Sequence, residues 1–445
     1  MGLRSVVSHR RTTAAIRIAD DLDVLPREQV EQLQQHNLTA TVLAGRRSAT
    51  VRRRWPRLDD VVTAADLAQL PLLTPAELAA ECPPRSDAFL LDPEAPAFVL
   101  RSSGTSGATK MVFHSWHFKQ QVDALGTRGV RAALPAPPRR IANCMFPGEL
   151  NGAMFFVQGI AELLPAMAFP LGSRTPVDHT AGMIREHGID TLVSSPAYGT
   201  ELVTTASAEH LQSLRYFLYL GEGMGEQRQA AFSAAVPEVT VRSLSYSTNE
   251  TGPIGYQCVA IGGGTHHVHE DAVLVEIVDE DTGEAVPDGD VGELVVTPLK
   301  DTGMALFRYR IGDRGHWHTE PCPCGSSARL LTLVGRTAQS LTVDVWTISS
   351  DQLMGVLAEF GVTDPSDCQF QVLWDFPSYR VRLLLSPRTP AGVTADAVAA
   401  AATSRYQLHR VLASPRCTGF TVERAEVGDF VPNERGKVPV LYQRF

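Results

Sequence analysis

Between about residues 96 and 245, short apolar runs alternate with longer segments of helical spacing. Ala97-Phe98-Val99-Leu100 runs into a hydroxyl- and glycine-rich stretch, and Thr191-Leu192-Val193 ends at Ser194-Ser195-Pro196. Tyr216-Phe217-Leu218-Tyr219-Leu220 ends at Gly221-Glu222-Gly223, and Val239 to Leu244 ends at Ser245-Tyr246-Ser247. Strands that repeatedly break into Ser/Gly loops, with helices between them, predict an α/β sheet whose ligand sits at the strand ends. Ahead of this region, Arg27 to Gln35 and Ala64 to Leu70 carry helical spacing. Thr74-Pro75-Ala76-Glu77 predicts a helix start, with Thr as N-cap, Pro just inside and an acid in the first turn. After residue 270, Val273 to Val278 and Gly292 to Thr297 predict antiparallel strands around the turns at 281–283 and Pro287-Asp288-Gly289. The last ~110 residues, beyond Gly335-Arg336, have the size of one small domain. There Gln369 to Trp374, Tyr379 to Leu385 and Gly419 to Val422 predict strands, with an alanine-rich helix near 394–412.

Composition narrows the class. The 445 residues allow two or three domains, and 44% hydrophobic with 20% charged residues excludes a disordered chain. A net charge of −9 argues against nucleic acid or an anionic membrane as the main partner. Gly152 to Gly172 is the most membrane-like run, but Gln158, Glu162, Pro165 and Pro170 make it buried core. The first eleven residues break into charge before any signal-like stretch, and Val6 spoils a myristoylation pattern. Seven cysteines are too few for a disulfide scaffold, so a reduced, cytoplasmic setting is expected. The only lysines are Lys110, Lys119, Lys300 and Lys437, arginine supplying the other 36 basic residues. Each lysine therefore marks a place where a compact point charge was chosen over a guanidinium.

The strongest local signal is Ser102-Ser103-Gly104-Thr105-Ser106-Gly107-Ala108-Thr109-Lys110 after the strand at 97–100. Glycines let backbone N–H groups face an anion, hydroxyls add donors, and lysine supplies a charge for phosphate. The spacing is not that of a Walker A loop. This loop resembles the ATP loop of the adenylate-forming superfamily of acyl-CoA synthetases and adenylation domains, and further matches follow in order. Tyr246-Ser247-Thr248-Asn249-Glu250 is similar to its Tyr-Gly-x-Thr-Glu segment, and Arg308 to Asp313 to its Tyr-x-Thr-Gly-Asp segment. Gly335-Arg336 resembles its hinge, and Gly436-Lys437 its mobile lysine. Asp66 to Thr74, Glu270-Asp271, Val275-Glu276-Ile277 and Arg308-Tyr309-Arg310 resemble the phenylacetate–CoA ligases within it.

The resemblance implies a large ATP- and acid-binding domain over 1–335, with a small β region about 255–330, and a mobile α+β domain over 336–445. It also implies ATP-dependent activation of a carboxylic acid through an acyl-adenylate, aromatic or arylacetic by the mix of aromatic and small pocket residues. Ser102 to Gly107 and Lys110 would hold phosphates, Glu250 magnesium, and Asp313 the ribose. Gly221-Glu222-Gly223, Tyr246 and Ser247 would pack around adenine, with Arg336 at the hinge. Lys437 would bridge carboxylate and phosphate, so Lys437, Glu250 and Lys110 form the expected catalytic set. Phe146, Asn151, Pro196, Tyr198 and Ser245 would line the acid pocket. After Gly335-Arg336 the chain lacks the family's acidic pair and its tunnel-lining glycine, which leaves adenylation expected but the acceptor open: CoA, an amine or a carrier-protein thiol. A non-catalytic nucleotide-binding descendant is the further alternative, and a homodimer is compatible with the resemblance.

Cys322-Pro323-Cys324-Gly325 presents two thiols on one turn, and Cys258 and His266-His267-Val268-His269 lie upstream. Three thiolates and an imidazole make a closed structural zinc set with no open position for catalysis. Some phenylacetate–CoA ligase relatives are similar here, and aligning Glu270-Asp271 to their acidic pair selects His267 over His266 and His269. Free thiols or a Cys322–Cys324 disulfide are the alternatives.

Overall fold

The computed structural model describes residues 16–102, 110–221, 223–336, 340–344, 346–403, 405–425, 429–431 and 438–444. Five strands form a parallel sheet in the order Met167–Phe169, Arg140–Asn143, Thr191–Ser194, Tyr216–Tyr219, Thr240–Ser243. Adjacent residues along a strand point to opposite faces, and here both faces are covered. Ala142, Leu192 and Phe217 pack under the helices Val177–His187, Pro196–Thr205 and Glu226–Ala235. Ile141, Val193 and Leu218 pack under Trp116–Ala133 and Ala153–Leu163. Two buried faces explain why these strands read as continuous apolar runs. The strand at Ala97–Ser102 departs from the expectation, pairing antiparallel with Lys110–Ser115 as a separate hairpin.

Seven antiparallel strands between Tyr246 and Arg336 form a second sheet. The predicted strands at 273–278 and 292–297 pair within it. Its core joins the helices at Arg27–Arg47 and Pro75–Glu81 through Leu38, Val42, Leu78, Ile277 and Phe307. The predicted cap is present: Thr74 Oγ1 accepts from the Glu77 amide (3.2 Å) and the Glu77 carboxylate accepts from the Thr74 amide (2.9 Å). Residues 341–441 bury their own core around Phe370, Val381 and Leu383, with a mixed four-stranded sheet and the hairpin Ser340–Val343/Trp346–Ser349. The alanine-rich segment divides into Ala395–Ala402 and Tyr406–Leu412.

This C-terminal part is fastened to the rest by charge and stacking. Arg416, held within the C-terminal part by Asp344, reaches across to Glu201, Arg410 pairs with Glu149, and the buried Arg228 guanidinium lies over the Trp374 and Phe376 rings. Asp344 takes a left-handed φ of 55° at the hairpin turn, a conformation that short polar side chains tolerate.

Lys300 is an interior tie, donating to the carbonyls of Pro253 (3.1 Å) and Ala272 (2.9 Å). Burial pulls its ammonium down to about 7, against the opposing charge of Asp271. Between that value and the ordinary ~10.4 the unfolded chain binds a proton that the folded chain lacks, so this group makes stability rise with pH. Denaturant melts across pH 6.5–10 are expected to show that rise in the wild type relative to Lys300→Met, which lacks the slope.

Candidate active site

A cavity of about 910 Å3 opens between the hairpin at 97–115, the C-terminal ends of the parallel strands, the antiparallel sheet and the C-terminal hairpin. Ser102 and Lys110 stand opposite each other at the end of their hairpin, both buried. Lys110 pairs with Glu250 and donates to the Tyr309 hydroxyl (2.6 Å). Glu250 Oε1 accepts from Ser102 Oγ (2.6 Å) and Tyr309 Oη (3.1 Å). Burial alone raises a carboxyl, but the Lys110 charge and the Lys110 and Ser102 hydrogen bonds hold Glu250 down at about 2. His114 supports the loop from behind: its ring stacks on Phe118 and its Nε2–H donates to the Asn249 carbonyl (2.7 Å). Burial holds that imidazole neutral, with its ionisation lowered to about 4.

Across the cavity, Tyr246 Oη donates to Asp313 Oδ2 (2.7 Å), with Ser247, Gly221 and Gly223 on the same wall. Phe146, Asn151 and Ser245 also line the cavity, and Phe146 packs edge-on against Trp346 of the C-terminal hairpin (5.7 Å). Pro196 and Tyr198 do not line it. Pro196 is the first residue of a helix capped by Ser195, and Tyr198 Oη bonds Thr180 Oγ1 (2.6 Å) and the Thr175 carbonyl (2.9 Å) beneath the sheet. Their assignment to the acid pocket is corrected: the Ser-Pro sequence was a helix start. Ser103, Gly104, Thr105, Ser106, Gly107, Glu222, Lys437 and the side chain of Arg336 lie outside the described residues. Tyr309, which bridges Lys110 and Glu250, was not singled out from the sequence. Its position inside the Arg308-to-Asp313 segment was the available signal.

Cys258, His267, Cys322 and Cys324 converge, their ligand atoms all within 4.8 Å of one another. Cys258 and Cys322 sulfurs are 3.6 Å apart and Cys324 Sγ is 3.3 Å from His267 Nε2, near the ~3.7 Å edge of a tetrahedron with 2.3 Å zinc–sulfur bonds. His267 Nδ1 faces the Ala328 carbonyl (3.2 Å), which leaves the Nε2 lone pair for a metal. His266 turns to the opposite face of the strand and lines the cavity, while His269 Nδ1 meets Arg128 (3.0 Å). The seven cysteines form no disulfide. No helix among the described residues is long and apolar enough to cross a membrane.

A family model described as AMP-binding enzyme matches residues 21–298. A phenylacetate–coenzyme A ligase of Thermus thermophilus is 28% identical over 357 residues, covering 76% of this chain and 77% of that protein. One of Aromatoleum evansii is 27% identical over 64% of each chain. The fold matches a 2-hydroxyisobutyryl-CoA ligase solved in its thioesterification state with 2-HIB-AMP and CoA. The TM-score is 0.76 at 16% identity, over 95% of this chain and 92% of that one. Against the same ligase in its postadenylation state the TM-score is 0.64, over 95% and 91%.

Proposed function

We propose that this chain, which belongs to the AMP-binding enzyme family, activates an aryl or arylacetic acid with ATP and passes the acyl group to CoA. The observation that carries this reading is the pairing of two stations on one cavity: Ser102, Lys110, Tyr309 and Glu250 at one, Tyr246 and Asp313 at the other. The first suits phosphates and a hard cation, the second the hydroxyls of a ribose. In the first half-reaction a carboxylate oxygen attacks the α-phosphorus, and the bond to pyrophosphate breaks with its electrons leaving on oxygen. In the second, the CoA sulfur attacks the acyl carbon and AMP departs. Phosphoryl chemistry of this kind depends on charge neutralisation and positioning. Lys110 contributes a fixed positive charge, and Asp313, oriented by Tyr246, fixes the sugar. Magnesium held at Glu250 would neutralise charge on the departing pyrophosphate. Lys437 fits the role of bridging carboxylate and α-phosphate, and the part of the chain beyond residue 336 that carries it is the mobile domain of this reading.

CoA as acceptor is supported by the relatives' activity and by the C-terminal hairpin, whose Leu341, Thr342 and Thr347 wall the cavity. The family's tunnel glycine is missing, yet the hairpin turns through Asp344 at positive φ without one. Zinc at Cys258, His267, Cys322 and Cys324 would be structural, since those residues lie outside the cavity lining.

An acid-dependent ATP–pyrophosphate exchange screen over aryl, arylacetic and short aliphatic acids tests the reading. Exchange with an aryl or arylacetic acid, lost in Lys437→Ala, followed by a thioester on adding CoA, is the expected result. Exchange without a thioester would move the acceptor to an amine or carrier protein. No exchange with any acid would overturn the adenylation itself.

A further inference from the structure

Of the four lysines, Lys119 is the one that the phosphate chemistry and the interior tie leave unexplained. It lies on the helix Trp116–Ala133 and lines the cavity beside Phe118 and Val122, with Phe98 and Phe156 on the same cavity wall. One turn on, Asp123 pairs with it. That aspartate is 9% exposed, and its Oδ1 has no hydrogen-bond partner among the described residues. Room for it is made by Gly159, where a Cβ would come 2.3 Å from the Asp123 carboxylate. A lysine that merely solvated a surface face would need no such buried counter-charge. An ammonium has three donors, and Asp123 is the one partner of Lys119 among the described residues. A cation fixed from behind therefore keeps donors for whatever fills an otherwise apolar part of the cavity.

We propose that Lys119, positioned by Asp123, selects an acid that carries a neutral oxygen acceptor, such as a ring hydroxyl, at the end remote from its carboxylate. The inference rests on the acid-activating reading above and deepens it. Asp123 already balances the Lys119 charge, so a second carboxylate on the substrate would leave a net buried anion. A plain hydrocarbon ring would leave the ammonium donors not used by Asp123 facing apolar surface. A hydroxyl or ether oxygen meets both conditions.

The test compares phenylacetate with its hydroxy- and methoxy-substituted forms and with a carboxy-substituted form, in pyrophosphate exchange by wild type, Lys119→Met and Lys119→Gln. An ATP-dependent rise in melting temperature checks that each variant folds. Wild type is expected to favour an oxygen-substituted acid over the parent by at least about tenfold in kcat/KM. Lys119→Met should bring that ratio to near one while retaining exchange with the parent, and Lys119→Gln should restore part of it. Equal ratios in wild type and Lys119→Met, or a wild-type preference for the parent or the dicarboxylate, would overturn the assignment while leaving adenylation intact. Absence of exchange with every acid would instead strike the acid-activating reading, and this inference with it.

Discussion

Protein purified without chelator is expected to carry one zinc per chain, and Cys322→Ser to lose it together with about 10 °C of melting temperature. The argument begins with where the four ligands come from. Cys258 follows the strand Gly252–Tyr256, His267 lies in Thr265–Val268, and Cys322 and Cys324 belong to the connection between Tyr309–Trp317 and Leu330–Arg336. The surrounding apolar cluster is small, Cys258 and Cys322 with Leu330 as its buried members. The end of the connection is tied separately, by Ser327 to the Leu25 carbonyl and by Arg329 to Glu270 and Asp288, so the metal would hold chiefly the Cys322–Cys324 turn. Structural zinc in isolated finger peptides contributes ~10–16 kcal/mol of apparent binding. With most of this fold stabilised elsewhere, a loss of ~3–5 kcal/mol is the reasonable scale, and at ~2–4 °C per kcal/mol it gives the stated shift. Activity should respond through nucleotide binding. Residues 266 and 267 point to opposite faces of one strand, so freeing His267 loosens the strand whose His266 lines the cavity. A raised KM for ATP with a smaller change in kcat is expected, read by exchange kinetics beside elemental analysis. Full zinc occupancy in Cys322→Ser, or a wild type that is fully stable and metal-free, would refute the site.

The same ligand set shows what a sequence discloses. Cysteines two apart on a turn limit the geometry so severely that the pair could be recognised from spacing, and the acidic pair at 270–271 selected the histidine that lies with the three cysteines. The buried parallel strands were legible because two covered faces force unbroken apolar runs. Arg140–Asn143 and Met167–Phe169 were not: the first is four residues with polar ends, and the second is three residues hidden inside the long apolar run from 152 to 172. Pro196 and Tyr198 misled for a local reason: Ser-Pro after a strand is both a site-like loop and an ordinary helix start, and here the helix claims it. Contacts between distant segments stayed hidden. The motifs put Ser102 and Glu250 at one nucleotide site but not in direct contact across 148 residues, and Arg416 announces neither Glu201 nor Asp344.

Glu250→Gln is expected to lower pyrophosphate exchange by about 10²–10³-fold, the ~2.7–4 kcal/mol associated with removing one preorganised charge contact. The substitution keeps the shape, and its amide oxygen can still accept from Ser102 and Tyr309, so charge is what changes. It also leaves the Lys110 ammonium buried without its counter-ion, a defect worth ~3–5 kcal/mol of stability. Stability loss and activity loss would then be confounded in the single variant. The double variant Lys110→Met/Glu250→Gln separates them, because removing both members of a buried pair is often close to neutral for stability. Its melting temperature should recover toward wild type while exchange stays at the low level of the single variant. Recovery of both would mean that the pair serves packing alone. The pH dependence carries the same signature. Glu250 is held at about 2 in the fold, below its unfolded value near ~4.3. Its contribution is therefore complete above ~4.3 and lost as pH falls through about 2. Exchange between pH 5 and 9 should show no limb from this group, whereas acid unfolding below pH 4.3 should be steeper in the wild type than in Glu250→Gln.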